Sequence, residues 1–436
     1  MTNIRVGLIG FGTIGTGVAR NLLEQSALLQ QRLGKSIQLL RICDRDISHD
    51  RGLDLRGVEL TDNIDHVIKA DDIDLVIELI GGYEPARSFV QTAIEHGKHV
   101  VTANKALIAK HGDELFVVAE KHGVSLAFEA AVGGGIACLK ALREGLAGNE
   151  IQAVFGILNG TCNYILTRME NEGLDFDVVL KDAQDLGYAE ADPSFDVDGV
   201  DTAHKLAILS AMAFGTKIAF DAVHTEGIRQ ISAQDIQSAT ELGYRIKLLG
   251  ITRPHGDQVE MRVHPTLVPL DSQIAQVSDS YNAVLVDGDY VEKTIFIGRG
   301  AGEKPTASAV ISDVMDIARA MPDGIKHLAP PMGFPQANRR PFNVLPIVDV
   351  ECAYYLRLMV KDQPGVMASI TNVLADHRIS LEAITQKERH ETEAVAVVML
   401  VHETREGNLQ AAIDRIMQFE SVEDQPLILR IERFGE

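Results

Sequence analysis

Residues 4–15 read IRVGLIGFGTIG. Ile4 to Ile9 is an apolar run of strand length, and Gly10, Gly12 and Gly15 follow it without a gap. A periodic segment from Thr16 to about Gln31 then predicts a helix. Each glycine has a task in a turn that holds a dinucleotide. Gly10 permits the sharp reversal, Gly12 lets the backbone approach a pyrophosphate, and Gly15 lets helix pack on strand. The main chain of Phe11, Thr13 and Ile14 then offers N–H groups at a helix start, where the dipole is positive.

Working outward, a second strand, Ile37 to Cys43, ends in Asp44-Arg45. An acid there suits the adenine ribose hydroxyls of NAD, and Arg45 suits the 2′-phosphate of NADP. The sequence leaves both cofactors open. Further βα units follow, with strands predicted at Leu75–Ile80, His99–Thr102 and Val124–Phe128, so a parallel doubly wound Rossmann sheet is expected. Lys105 stands directly after one of those strand ends, where ligands bind in such sheets. The plainer reading is a solvated lysine opening a helix. Glu129-Ala-Ala-Val132-Gly133-Gly134-Gly135-Ile136 closes the region. On residue chemistry alone it reads as a flexible crossover, although a carboxylate followed by exposed carbonyls can also hold a hard cation.

The chain has 436 residues and a net charge of −21, enough for two or three domains and unsuited to nucleic acid or an anionic membrane surface. No apolar run is long enough to span a bilayer, and the four cysteines form no CxxC pair. A strand begins at once, without a leader, so a cytoplasmic location is expected.

From about Ala137 the pattern changes. A helix is expected over Ile136–Ala147, a strand over Ile151–Leu158, and then the loop Asn159-Gly160-Thr161-Cys162-Asn163-Tyr164 leading into a helix through Met169. Residues 187–205 read GYAEADPSFDVDGVDTAHK. Asp192-Pro193 breaks any helix, and apolar periodicity resumes after Gly199, so Asp201 and Lys205 fall four apart on one helical face. From spacing alone they read first as a surface ion pair. The nucleotide fold upstream needs a substrate site from elsewhere, which adds a ligand-binding reading. Eleven acids stand against Lys181 alone between Glu170 and Asp201, and a few buried ones would suit a substrate bearing an ammonium group.

GFGTIG, TANK at 102–105, EAAVGGG at 129–135, NGTCNYI at 159–165 and GYAEADPxxDVDGxDxAxK at 187–205, in this order, resemble homoserine dehydrogenases over roughly residues 4–320. The resemblance implies NAD- or NADP-dependent interconversion of L-homoserine and L-aspartate 4-semialdehyde, within threonine, methionine and isoleucine biosynthesis. It implies a Rossmann domain (1–136) and an α+β catalytic and dimerisation domain with a mixed sheet (137–329). In the latter, a helix at 305–321 returns to the Rossmann domain. Carried over, Lys205 would donate the proton to the aldehyde oxygen and Asp201 would orient the substrate, with Lys105 in the same cavity. Glu190 would bind the substrate's polar end, and Thr161, Tyr188 and Asp196 would line the pocket. Glu129, Val132, Gly134 and Ile136 match a monovalent cation site (Na+ or K+), mostly through backbone oxygens. Gly187 and Gly302 match positions that close around the cofactor. A dehydrogenase of another amino-acid semialdehyde and a non-catalytic nucleotide sensor are the alternatives. The sensor would be expected to have lost Lys105, Asp201 or Lys205.

Five of the fourteen prolines lie within residues 330–346, so a semi-rigid linker is expected over 330–350. Beyond it (351–436) the predicted order is βαββαβ, with strands at Ala353–Val360, Ile379–Lys387, Glu393–Val401 and Leu427–Arg433. With its Asp362-Gln-Pro-Gly365 turn this tail resembles an ACT domain. The resemblance implies L-threonine as effector, met by Asp362 and Gly365, with assembly alone as the alternative. A homodimer or homotetramer is expected, and deleting 347–436 is expected to leave activity intact.

Overall fold

The computed structural model describes residues 3–321, 329–341, 343–386 and 394–435. Two compact units emerge: Met1–Gly160 with Ala203–Val223 and Tyr281–Phe342, and Thr161–Thr202 with His224–Ser280 and Asn343–Glu436.

The first unit opens with six parallel strands: β1 (Ile4–Ile9), β2 (Ile37–Cys43), β3 (Glu59–Thr61), β4 (Leu75–Glu78), β5 (His99–Thr102) and β6 (Leu126–Ala127). Between them run α1 (Thr13–Glu24), α2 (Ser26–Leu33), α3 (Asp65–Ile68), α4 (Ala86–Glu95) and α5 (Lys105–His122). The sheet order is β3-β2-β1-β4-β5-β6, so the winding reverses between β1 and β4 and opens a crevice at their carboxyl ends.

The remaining elements follow as α6 (Cys138–Lys140), β7 (Ile151–Ile157), α7 (Gly160–Glu172), α8 (Phe176–Asp185), α9 (Ser194–Val197) and α10 (Val200–Phe214). Then come β8 (His224–Thr225), α11 (Ala233–Glu241), β9 (Tyr244–His255), β10 (Gln258–Pro269), β11 (Tyr281–Gly288), β12 (Glu292–Arg299) and α12 (Glu303–Ala320). The carboxyl-terminal part is β13 (Glu351–Lys361), α13 (Val366–Asp376), β14 (Leu381–Gln386), β15 (Ala394–Arg405), α14 (Glu406–Ile416) and β16 (Leu427–Ile431), in the expected βαββαβ order. Lys387 and Glu393 lie outside the described residues.

In the first unit β7, β11 and β12 pair antiparallel. Helix α12 places Ala307, Val310 and Val314 in one cluster with Val6, Leu8 and Val18, at helical spacing. Burying a Val or Leu side chain contributes roughly 1.5–3 kcal/mol. Gly17 on α1 is needed for this approach, because a Cβ there would come within 2.6 Å of Glu303. The second unit holds a mixed sheet. β9 and β10 are antiparallel, β8 and β16 both run parallel to β10, and β13, β15 and β14 follow antiparallel.

Three expectations change. The helix after the glycine turn is two helices, broken at Gln25, and it starts at Thr13, with Gly12 in the N-cap position. The helix expected over Ile136–Ala147 is one short turn, Cys138–Lys140, running into a π turn over Ala141–Gly145. The carboxyl-terminal module is joined to the neighbouring strands by more than its linker. Thr266 and Leu267 of β10 pair with Arg430 and Ile431 of β16, so removing 347–436 would strip a strand from this sheet.

Candidate functional site

Gly10 ends β1 with φ +94°, and a Cβ on it would stand 2.8 Å from the carbonyl of Leu79, beyond β4. Only glycine lets the two loops at the crevice meet so closely. A Cβ on Gly15 would lie 2.0 Å from the Gly10 carbonyl oxygen, whereas one on Gly12 would meet nothing within 4 Å. Helix α1 has no side-chain cap and no acid in its first turn, with Gly12 and Thr13 exposed and Ile14 half-buried. An uncapped helix start facing open space fits an anionic pyrophosphate. Gly302, φ +117°, is the N-cap of α12, the helix whose Glu303 meets Gly17.

Asp44 braces this turn: one carboxylate oxygen accepts from Phe11 N at 2.6 Å and the other from Asp46 N at 2.9 Å. Arg45 points to solvent. The cation at the glycine turn is instead Arg51, which no motif signalled. Its Nε donates to the Phe11 carbonyl at 2.6 Å, and its guanidinium lies 4.4 Å from the Phe11 ring centroid.

A second residue without a sequence signal sits at the ends of β4 and β5. Glu78 is fully buried, and it accepts from Thr102 Oγ1 at 2.6 Å, Ile80 N at 2.8 Å and Gly81 N at 3.3 Å. Burial pushes its carboxyl above the usual range, against the opposing pull of these donors. Thr102 Oγ1 in turn accepts from Asn104 N at 2.9 Å, and the Asn104 side chain caps α5 by accepting from Leu107 N at 3.1 Å. Lys105, half-buried, is the first residue of that helix.

Lys205 is 8% exposed on α10, and its ammonium donates to the Leu158 carbonyl just past β7 at 2.6 Å. Asp201 stands one turn earlier on the same helix, only 3% exposed, so the surface ion-pair reading does not describe these buried groups. A carboxylate in the first turn also suits the helix dipole.

The acidic stretch belongs to the second unit. Thr161 Oγ1 donates to the Tyr188 carbonyl at 3.0 Å, and the Tyr188 ring stacks on Tyr164 at 4.7 Å. Gly187, φ +75°, turns the chain after α8, and Gln184 Nε2 donates to the Glu190 carbonyl at 3.0 Å, leaving Glu190 exposed. Asp196 lies half-buried in α9, its carbonyl accepting from the Cys162 thiol at 3.2 Å. The 159–165 motif is supported by Lys247, another residue the motifs missed. Its ammonium donates to Asn163 Oδ1 at 2.9 Å and to the Val277 carbonyl at 2.7 Å, and burial lowers its pKa to about 8.

At the glycine-rich crossover, Glu129 is 1% exposed. Its carboxylate accepts from Leu139 N and Lys140 N at 3.1 and 2.9 Å. Burial, with Asp313 beside it, raises its pKa to about 8. The Val132 carbonyl accepts from the Cys138 thiol at 3.6 Å, Gly134 has φ +51°, and the Ile136 carbonyl accepts from Cys138 N at 2.7 Å. No cluster of three or more His, Cys, Asp or Glu side chains suited to a metal occurs among the described residues. With the Glu129 carboxylate committed to N–H donors, a cation would rely on main-chain oxygens.

In the carboxyl-terminal module Gly365, φ +94°, is the N-cap of α13, with open space where a Cβ would stand, and Asp362 is half-buried three residues before it. A cavity of about 320 Å³ lined by Phe116, Val124, Met332 and Phe334 holds none of the predicted residues. No helix among the described residues is long and apolar enough to cross a membrane.

Family models match in sequence order. The homoserine dehydrogenase NAD-binding domain covers residues 10–129, homoserine dehydrogenase 138–315, and the ACT domain 354–421. A homoserine dehydrogenase of Pseudomonas aeruginosa is 45% identical over 437 residues, spanning 100% of both chains. The chain belongs to the homoserine dehydrogenase family. This is a family of oxidoreductases, and the relative from Neisseria gonorrhoeae is 44% identical over 99% of each chain. The solved homoserine dehydrogenase of Thiobacillus denitrificans superposes with a TM-score of 0.95 at 47% identity, covering 100% of this chain and 99% of that one. The Rossmann sheet, the mixed sheet and the ACT module are therefore those of the family.

Proposed function

We propose that the protein interconverts L-homoserine and L-aspartate 4-semialdehyde with NAD or NADP, serving threonine, methionine and isoleucine biosynthesis. The observation that carries this reading is the end-to-end similarity to homoserine dehydrogenases, with Lys105, Asp201 and Lys205 all present in this chain. The nicotinamide, when bound, supplies hydride transfer. The uncapped start of α1 holds the pyrophosphate, Asp44 meets the adenine ribose, and Arg45 or Arg51 meets a 2′-phosphate when NADP is used. Lys205 gives its proton to the aldehyde oxygen as alkoxide charge develops, and takes it back in the oxidation direction. Asp201 orients the substrate, Glu190 binds its ammonium end, and Lys105 meets its polar groups and the cofactor. Thr161, Tyr188 and Asp196 line the pocket, and Gly187 and Gly302 lie against the cofactor. Main-chain oxygens of Glu129, Val132, Gly134 and Ile136 take up Na+ or K+, a monovalent ion that neutral carbonyls can hold without added carboxylates.

The ACT module binds L-threonine at Asp362 and the open α13 start around Gly365, and the enzyme works as a homodimer or homotetramer. Homoserine oxidation with each cofactor, with and without threonine, tests the reading. Activity only on a longer semialdehyde would overturn the substrate, and activity unmoved by threonine would reduce the ACT module to an assembly role.

A further inference from the structure

The residue immediately before each of the two lysines is tied to the same short turn. Asn104, preceding Lys105, donates from Nδ2 to the Gly82 carbonyl at 2.7 Å. His204, preceding Lys205, shares a hydrogen bond of 3.0 Å between its Nε2 and Tyr83 Oη. Gly82 and Tyr83 are neighbours on the loop beyond β4, at the crevice where the sheet reverses.

The two ties differ from ordinary core packing. Gly81 and Gly82 have φ of +73° and +72°, and a Cβ on either would meet nothing within 4 Å. Tyr83 is 40% exposed. The loop is therefore held by directional bonds: Glu78 below it, Asn104 on one side and His204 on the other. The partners of those bonds are buried. Asn104 is 6% exposed and also caps α5, and His204 is 1% exposed with its ring stacked on Phe220 at 4.0 Å and 6°. Lys110 and Asp221 flank that stack as an exposed ion pair, and His111 meets the Tyr83 ring edge-on at 6.2 Å.

We propose that the Gly82–Tyr83 turn is a positioning bridge that sets the roots of Lys105 and Lys205 for the dehydrogenase reaction, with Tyr83 and Asn104 as positioning residues. The inference rests on the functional reading above. A lysine ammonium is carried on its stem from the backbone, so a shift at the root displaces the charge and any bond that holds it, such as that of Lys205 to the Leu158 carbonyl. A misplacement of about 1 Å costs on the order of a hundredfold in rate.

Wild-type homoserine oxidation is measured first: an inactive wild type would sink the functional reading, not the bridge. In an active enzyme, Tyr83→Phe removes one hydroxyl at an exposed site, and Asn104→Ser keeps a capping oxygen for α5 while deleting the amide donor to Gly82 without setting a second carboxylate beside Glu78. Each should lower kcat by about tenfold, equivalent to about 1.4 kcal/mol, with KM for homoserine, cofactor affinity and melting temperature nearly unchanged. His204→Phe should match Tyr83→Phe, and the double variant should be no worse than either single one, because both break one link. His204→Gln, which keeps a hydrogen-bonding group towards Tyr83, should recover most of the rate. Wild-type kcat in Tyr83→Phe and Asn104→Ser would overturn the bridge. So would additive losses in the double variant, or a rate loss that only follows falling thermal stability.

Discussion

The glycine turn of the first unit and the buried charge network of the second treat polar groups in opposite ways. At the turn, α1 begins without a side-chain cap and Gly12 faces open space. In the network, Arg262 is 2% exposed and donates to Glu260 at 2.6 Å, to His264 Nε2 at 2.6 Å and to Glu432 at 3.4 Å. Arg430, 3% exposed, donates to Glu406 at 2.7 and 2.8 Å and to Glu226 at 3.0 Å. Burial and the two arginines hold His264 well below its ordinary pKa, so the ring is neutral and takes the Arg262 proton donor on Nε2. Buried charge alone therefore does not mark a reactive site here. These arginines are more buried than Lys205, yet they join β10 to the ACT strand β16. The open helix start suits an anionic ligand, and the closed network makes a joint.

Lys205→Ala tests the proposed reaction site most severely. Turnover should fall by about two to four orders of magnitude, read by steady-state homoserine oxidation, while nucleotide fluorescence titration shows cofactor still bound. Near wild-type rates would remove Lys205 from the proton transfer. On the closed side, Arg262→Ala removes one of two guanidinium partners of the buried Glu260 and Glu432, leaving them to Arg253 alone, and should cost about 1–3 kcal/mol of stability, measured by urea unfolding. A loss below about 1 kcal/mol would mean the joint is held by apolar packing instead. Deleting 347–436 should then give destabilised or insoluble protein rather than a clean unregulated enzyme.

A smaller effect separates two glycines of one motif. Gly12→Ala meets no neighbour, so stability should hold while KM for the dinucleotide rises by about tenfold, or about 1.4 kcal/mol. Gly15→Ala drives a methyl into the Gly10 carbonyl and should disturb the turn itself. Equal behaviour of the two would break the reading of Gly12 as the phosphate approach. The smallest effect is in acid. Burial alone would raise Glu226, but hydrogen bonds from His224 and Arg430 hold it at about 2. Its contribution is present above the ordinary value of 4.5 and lost as pH falls from there to about 2. Glu226→Gln should flatten that acid limb in urea midpoints measured against pH, and an unchanged slope would contradict the assignment.

What the sequence disclosed was local. Strand β1, the glycine turn, Asp44, the break at Pro193 and the βαββαβ order are written in periodicity and in Gly and Pro positions. Glu78 was hidden because a lone glutamate at a strand end has no pattern, and its donors come from the loop after β4 and from the end of β5. Arg51 was hidden for the same reason, and Arg45 drew attention only through its place after the strand. The break at Gln25 carries neither Gly nor Pro. The β10–β16 pairing joins positions 266 and 430, far beyond any window of local periodicity, so the ACT module read as separable when it is part of the sheet.

The most direct test of the central claim is homoserine oxidation by the full chain, with NAD and NADP in parallel, set against Lys205→Ala under the same conditions. Nicotinamide reduction dependent on homoserine, lost in the variant with cofactor binding retained, is the predicted result. No reduction with either cofactor, or equal rates in wild type and variant, would contradict it.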